Sequence, residues 1–218
     1  MMNNFPQHLT DTMYDDIWLP EETIEVRKKV RAFADMVLRP IAHELNNTPE
    51  DVNKFPWQLV KQMGEAGLFA IPFEKKYGGA GLEFPTLATM VMLEEIAYVS
   101  SGVAAALIDV QLILFGNTLK HAQESVKDKI FPLLISGDIV GSFATSEPAA
   151  STDLSVRALQ TMATKVDGGY KINGRKRWIT NSPVAHQMFV LCKMDDAMSM
   201  FLIDMSSEGA SVGAPDKK

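Results

Sequence analysis

Two short stretches carry the side chains best suited to chemistry. The first is Phe143-Ala144-Thr145-Ser146-Glu147-Pro148-Ala149-Ala150-Ser151-Thr152-Asp153. It reads as a strand that enters a Ser-Glu-Pro turn and then a run of small residues and hydroxyls. Small side chains let a flat ligand approach the backbone, and Ser and Thr supply adjustable donors and acceptors. Standing alone, the segment also reads as a hydroxyl-rich surface loop. The second stretch is Arg177-Trp178-Ile179-Thr180-Asn181. Read as a strand, it points Trp178 and Thr180 to one face. That face would offer a broad aromatic wall with a hydroxyl beside it, suited to a heterocycle with polar ring edges. A core Trp next to a Thr is the other reading.

Other reactive constellations are missing from the sequence. It has no G-x-S-x-G elbow, no Walker loop and no G-x-G-x-x-G after a strand. His8, His43, His121 and His186 lack the paired spacing of a metal site. Cys192 is the one cysteine, which excludes an internal disulfide and a Cys-based zinc site. It lies in the apolar run 188–192 and reads as a buried, inert thiol.

The elements that must hold these stretches change period halfway along the chain. From Pro20 to about Ser136 the pattern is helical. Pro20, Glu21 and Glu22 form a first turn whose carboxylates complement the helix dipole. Phe33, Val37, Ile41 and Leu45 follow at spacings of four as one core-facing stripe, and Pro40 within it predicts a kink or boundary. Further helices are expected over 56–66, stopped by Gly67, and over 86–100, 102–119 and 122–135. Gly78-Gly79-Ala80-Gly81 marks a loop. After Gly141 short strands follow at 161–166, 170–172, 178–180, 188–192 and 198–203, with turns at Asp167-Gly168-Gly169 and Asn173-Gly174. The expected fold is α+β: an arm over 1–19, an all-α helical domain over 20–138, and a small antiparallel β-barrel or sandwich over 139–218. The last unit lacks a closing strand, so the β-domain is expected to be incomplete and the chain truncated.

Composition narrows the function. The chain has 218 residues and 46% hydrophobic content, with 21 Lys and Arg against 27 Asp and Glu, a net charge of −6. Its tightest cationic group, Lys171, Arg175, Lys176 and Arg177, is too short for a nucleic-acid groove. The apolar run 103–115 contains Asp109 and Gln111 and is shorter than a membrane span. Residues 1–16 show neither a secretory nor a transit pattern. A soluble protein is expected, binding neither nucleic acid nor membrane.

In combination, these motifs resemble those of the acyl-CoA dehydrogenase family. Residues 64–71 with Gly78-Gly79-Ala80-Gly81 are similar to its "lgelGllgi…eyGGaG" stretch, and Glu94-Glu95-Ile96-Ala97-Tyr98 to its "eElar" helix. Residues 129–141 resemble the run before its flavin strand. Residues 143–153 resemble "fa-x-T-E-P-x-a-G-S-D", and residues 170–181 resemble "Y-x-i-N-G-x-K-x-W-I-T-N". The resemblance covers nearly the whole chain and implies the N-terminal helical and middle β portions of an FAD-dependent enzyme.

Carried over position by position, Phe143, Ala144, Thr145 and Ser146 would run past the flavin ring, largely through backbone contacts. Trp178 would cover one side of the ring, Ile179 would lie beside it, and Thr180 would hydrogen-bond near its reactive N5 edge. Thr152 would meet the acyl-CoA thioester arm, and Glu95 would touch substrate from the helix lining the acyl pocket. Glu147 would belong to the turn and take no proton. The sequence departs from the pattern at Ala149 and Ser151, which replace glycines, and at Thr152, which replaces a serine.

The resemblance implies hydride transfer from the β carbon of an acyl-CoA thioester to FAD, with electrons passing to an electron-transferring flavoprotein. In the family a second helical domain supplies the catalytic Glu and most tetramer contacts. No catalytic base is therefore assigned in this chain, which is expected to be inactive alone and homo-oligomeric when full length. A cytoplasmic location is expected, or the mitochondrial matrix in a eukaryote. Open alternatives are an enoyl-CoA reductase, a flavin monooxygenase or oxidase of the same fold, and a non-catalytic short form that binds CoA esters or a partner.

Overall fold

The structure, a computed structural model, describes residues 18–150, 153–195 and 197–215. Most of the expected N-terminal arm lies outside them. Helix α1 (Glu21–Phe33) starts behind Pro20 and buries Val26, Val30 and Phe33 on one face. It widens into a π-helical turn at Ala34–Leu38 and continues as α2 (Arg39–Asn47). Pro40 explains the widening. It has no N–H to give, and its ring would strike the carbonyl four residues back in a regular α-helix. The stripe Val37, Ile41 and Leu45 packs partly buried against the core.

Helix α3 (Trp57–Glu65) ends as its residue types require. Gly67 takes φ +68°, and the Leu68 amide bonds the Met63 carbonyl at 3.0 Å. Helix α4 (Pro85–Val99) is followed by α5 (Ser101–Leu119), and α6 (Glu124–Ile135) closes the helical block. Most of α5 is a 13-residue π-helix, Ala104–Gly116. Its full length exceeds the apolar run seen in the sequence. By length and composition it is the one described helix that could cross a membrane, yet more than half of its apolar window is buried inside the protein, the position of a core helix.

Five strands form one mixed sheet: β1 (Gly141–Ala144), β2 (Met162–Val166), β3 (Gly169–Asn173), β4 (Gln187–Met194) and β5 (Ala197–Asp204). Strand β4 is the hub. It pairs in parallel with β1 (Gly141 opposite Gln187) and, at Met162 opposite Lys193, with β2. On its other edge it pairs antiparallel with β5 along its whole length, from Gln187 opposite Asp204 to Met194 opposite Ala197. Strands β2 and β3 form a hairpin. Helices followed by a sheet is the expected order. The sheet, however, is mixed and open rather than a purely antiparallel barrel, because β1 and β2 enter beside β4 in its own direction.

Alternation along β4 divides two cores. Phe189 joins the helical core, with Phe143, Met200 and Leu202 packed against it. Met188, Val190 and Cys192 join Ala144 and Ala163 on the opposite face. Burial pushes the Cys192 thiol up to about 11, so it stays protonated at neutral pH and unreactive. The sheet docks on α5 where Phe115 meets Phe189, with ring centroids 5.0 Å apart. Gly141 sits against the Phe115 ring, with no room for a Cβ.

Candidate functional site

A wide, open cleft of about 2600 Å³ lies beside the start of α5 and the sheet, rimmed also by residues between 42 and 56 and by residues 207–215. Its helical wall comes from the α4–α5 junction, including Val103, Ala106 and Leu107, and its opposite wall from residues 174–184 with parts of β3, β4 and β5. Trp178, Ile179 and Thr180 all lie on that second wall. Trp178 is 65% exposed, and Ile179 is half-buried against the sheet's second core. Thr180 is exposed.

The segment is not the expected strand. Trp178 takes φ +61° and Asn181 φ +66°, both left-handed. Its backbone is held from the side by β1 and the residues after it. The Arg177 amide donates to the Ser146 carbonyl at 3.0 Å, and the Ser142 hydroxyl donates to the Thr180 carbonyl at 2.6 Å. Exposure still alternates as a strand's would, with Trp178 and Thr180 outward and Ile179 inward, which is why the sequence reads as one. The Arg177 guanidinium carbon lies 4.3 Å from the indole ring centre, a cation–π contact.

The expected flavin-contacting run Phe143, Ala144, Thr145 and Ser146 stands behind this wall and does not line the cleft. Phe143 packs on the helical core and Ala144 is fully buried. The Thr145 carbonyl accepts from Lys176 Nζ at 3.0 Å, and the Ser146 carbonyl is taken by Arg177. Thr145 and Ser146 hold the indole-bearing loop through their carbonyls, while Phe143 and Ala144 pack into the two cores. Thr152 lies outside the described residues.

Glu147 is buried and occupied. Its carboxylate accepts the Gln160 amide at 2.7 Å, the Thr161 amide at 2.9 Å and Lys176 Nζ at 2.9 Å. Burial alone would raise its pKa. The Thr161 side chain, Lys176 and the two amides outweigh that and hold it at about 2. Glu147 is thus a permanent anion locked into the turn, with its oxygens spent on these donors.

Glu95 is not at the cleft. It is 1% exposed and faces α1, where its two oxygens take Arg31 Nε and Nη2, each at 2.9 Å, with Arg27 Nε at 3.6 Å. The expectation of substrate contact is corrected, since this carboxylate joins α1 to α4. Glu94, on the outer side, pairs with Arg27 at 3.0 Å. Sequence reasoning missed Ser142 and Asn181 as supports. The only signal for Asn181 was its type, because Asn tolerates the left-handed region better than most residues.

The cleft suits a flavin. A flat indole stands open to it, a threonine hydroxyl lies two residues along the same wall, and Arg175 and Arg177 bring positive charge to that wall. Those features match an aromatic ring with polar edges attached to a phosphate-bearing tail.

Helices feeding a mixed sheet, with an aromatic residue exposed on the cleft beside them, define an α+β protein with a helical block ahead of its sheet. The model of the acyl-CoA dehydrogenase N-terminal domain matches residues 20–138, and that of the middle domain matches residues 142–218. The chain belongs to the acyl-CoA dehydrogenase family, whose members are FAD-dependent oxidoreductases. It is 35% identical over 210 residues to a short-chain-specific acyl-CoA dehydrogenase of Clostridium acetobutylicum, covering 93% of this chain and 53% of that protein. It is 34% identical over 199 residues to a 3-(aryl)acrylate reductase of Clostridium sporogenes, covering 88% of this chain and 50% of that protein. Among solved structures, a glutaryl-CoA dehydrogenase from Mycobacterium smegmatis in complex with FADH2 superposes with a TM-score of 0.76 at 25% identity, covering 91% of this chain and 49% of that one. The chain spans about half the length of the curated relatives it matches.

Proposed function

We propose that this chain forms the helical wall and one ring-facing wall of an FAD-dependent acyl-CoA dehydrogenase acting on an acyl-CoA thioester. The observation that carries this reading is the open indole of Trp178 beside the Thr180 hydroxyl, on a cleft backed by small apolar residues of α5. When bound, FAD supplies the acceptor for a hydride from the β carbon of the acyl group. Trp178 gives the ring a stacking surface, Ile179 anchors the loop in the sheet's core, and Thr180 donates a hydrogen bond to the ring edge. The run Phe143, Ala144, Thr145 and Ser146 is assigned to pass along the ring through its backbone, and the Thr145 and Ser146 carbonyls also hold this wall. Val103, Ala106 and Leu107 line the facing side with apolar surface suited to an acyl chain. Thr152 is assigned to the thioester arm.

The proton acceptor is assigned to a part of the enzyme outside these residues. Glu147 is held at about 2 by its partners, and Glu95 is turned into the α1–α4 interface. Electrons would pass to an electron-transferring flavoprotein, and the working enzyme would be a homo-oligomer in fatty-acid metabolism. It would act in the bacterial cytoplasm or, in a eukaryote, the mitochondrial matrix.

The second reading is the reverse direction, reduction of an enoyl group, which the likeness to a 3-(aryl)acrylate reductase favours. One experiment tests both. The full-length enzyme that carries these residues is purified and loaded with FAD, and the loaded form is mixed with an acyl-CoA or, after reduction, with an enoyl-CoA. Loss of the yellow absorbance with the acyl-CoA supports dehydrogenation, and its return with only the enoyl-CoA supports the reductase. Trp178→Ala should weaken FAD retention at least tenfold with an unchanged far-UV spectrum. Undiminished retention in that variant would sink the assignment.

A further inference from the structure

The indole wall is held in a backbone shape that needs outside support. A left-handed φ on a tryptophan is strained and persists only where neighbours over-determine it. The neighbours are on both flanks of Trp178. On the N-terminal side, Arg177 is bonded to the Ser146 carbonyl, and Lys176 to Thr145 and Glu147. On the C-terminal side stands Asn181, buried and itself left-handed. Its Nδ2 donates to the Ala106 carbonyl at 2.8 Å and lies 3.4 Å from the Gly141 carbonyl.

Ala106 belongs to the π-helical part of α5 and lines the cleft, and Gly141 begins β1. One side-chain amide therefore reaches both the helical wall and the strand behind the opposite wall. No other side chain among the described residues bonds the indole-bearing loop to α5. Asn181 stands three residues from Trp178 and one from Thr180, so a shift at this amide reaches both.

We propose that Asn181 is a positioning residue: its amide clamps the loop 178–181 to the π-helix and thereby sets how the Trp178–Thr180 wall faces the cleft. The proposal deepens the reading of that wall as the flavin's, and rests on it. The amide and the backbone conformation are separable roles. Asn181→Gly keeps the left-handed backbone and loses the amide. Asn181→Asp keeps the shape but turns an acceptor toward two carbonyls in place of a donor.

The test uses a background in which Trp18 and Trp57 are replaced by Phe, leaving Trp178 as the only indole. Without FAD, the clamp predicts that both variants keep the far-UV spectrum while Trp178 emission shifts and its quenching by acrylamide changes. With FAD, measured well below the melting temperature, both variants should bind at least tenfold more weakly than the parent. A purely structural Asn would lower the melting temperature and leave the affinity of the folded protein unchanged, which would overturn the proposal. Unchanged Trp178 emission in a folded variant would overturn it as well. If Asn181→Asp does not fold, Asn181→Gly decides. If the parent itself takes no FAD, the flavin reading fails, while the FAD-free arm still judges the clamp.

Discussion

Glu147 and Lys176 show how a single buried pair can fix the base of the loop that carries Trp178. Lys176 is nearly buried, and its ammonium reaches both the Glu147 carboxylate and the Thr145 carbonyl. Removing one partner of a buried ion pair leaves the other uncompensated, at a cost of about 3–5 kcal/mol. Glu147→Gln should therefore destabilise the protein by roughly 3 kcal/mol at neutral pH, read as a lower urea midpoint. The pH dependence has a definite sign. The carboxyl stands at about 2 in the fold against an ordinary 4.5, so its contribution is complete above pH 4.5 and fades as the pH falls toward 2. Urea midpoints of wild type and variant should converge as pH drops below 4.5. A gap that stays constant down to pH 3 would contradict the pair's role. At this scale the sequence was legible in residue type but not in backbone. The alternation of Trp178 and Thr180 matches their shared exposure on the cleft, whereas the left-handed φ at Trp178 depends on contacts with β1 and the residues after it, more than thirty residues away. Alternation in exposure cannot distinguish a strand from a clamped turn.

At the scale of elements, helices were the most readable because their support is local. The stripe Phe33, Val37, Ile41 and Leu45, and the Gly67 stop, each rest on residues within a few turns of one another. The π geometry of Ala104–Gly116 left no mark on the pattern, since a helix buried on most sides is apolar whichever way it winds. Strand positions other than 178–180 were also readable, but strand directions were not, because β1 and β2 meet β4 only after long excursions of chain. The role of Glu95 was hidden for the same reason: its partner Arg31 is 64 residues away. Its corrected place makes a distinct prediction. Glu95→Gln should lower stability by about 3 kcal/mol, or several degrees in melting temperature, because two guanidinium groups of α1 would face a neutral amide. In the full-length enzyme that carries these residues, FAD affinity and the KM for an acyl-CoA should stay unchanged. A KM effect with unaltered stability would return Glu95 to the substrate site.

For the whole molecule, two cores share one sheet, and the cleft lies where the helical block and the outer loop of the sheet face each other. That arrangement explains why an aromatic residue can stand 65% exposed without being a defect: the surfaces on either side are fixed by separate cores, and the indole is left facing the gap between them. The paired signatures at 143–153 and 170–181 made the family legible. The placement of the first behind the second was not, because it depends on which carbonyls Lys176 and Arg177 occupy. The account turns on one contact, between the Trp178 indole and the flavin ring. It is tested most directly by titrating FAD into protein carrying Trp178 as its only tryptophan and following indole fluorescence. Near-complete, saturable quenching that tracks the same midpoint as the flavin's own spectral change is the result predicted. Saturable FAD binding that leaves the Trp178 emission unquenched would place the ring elsewhere and contradict the account.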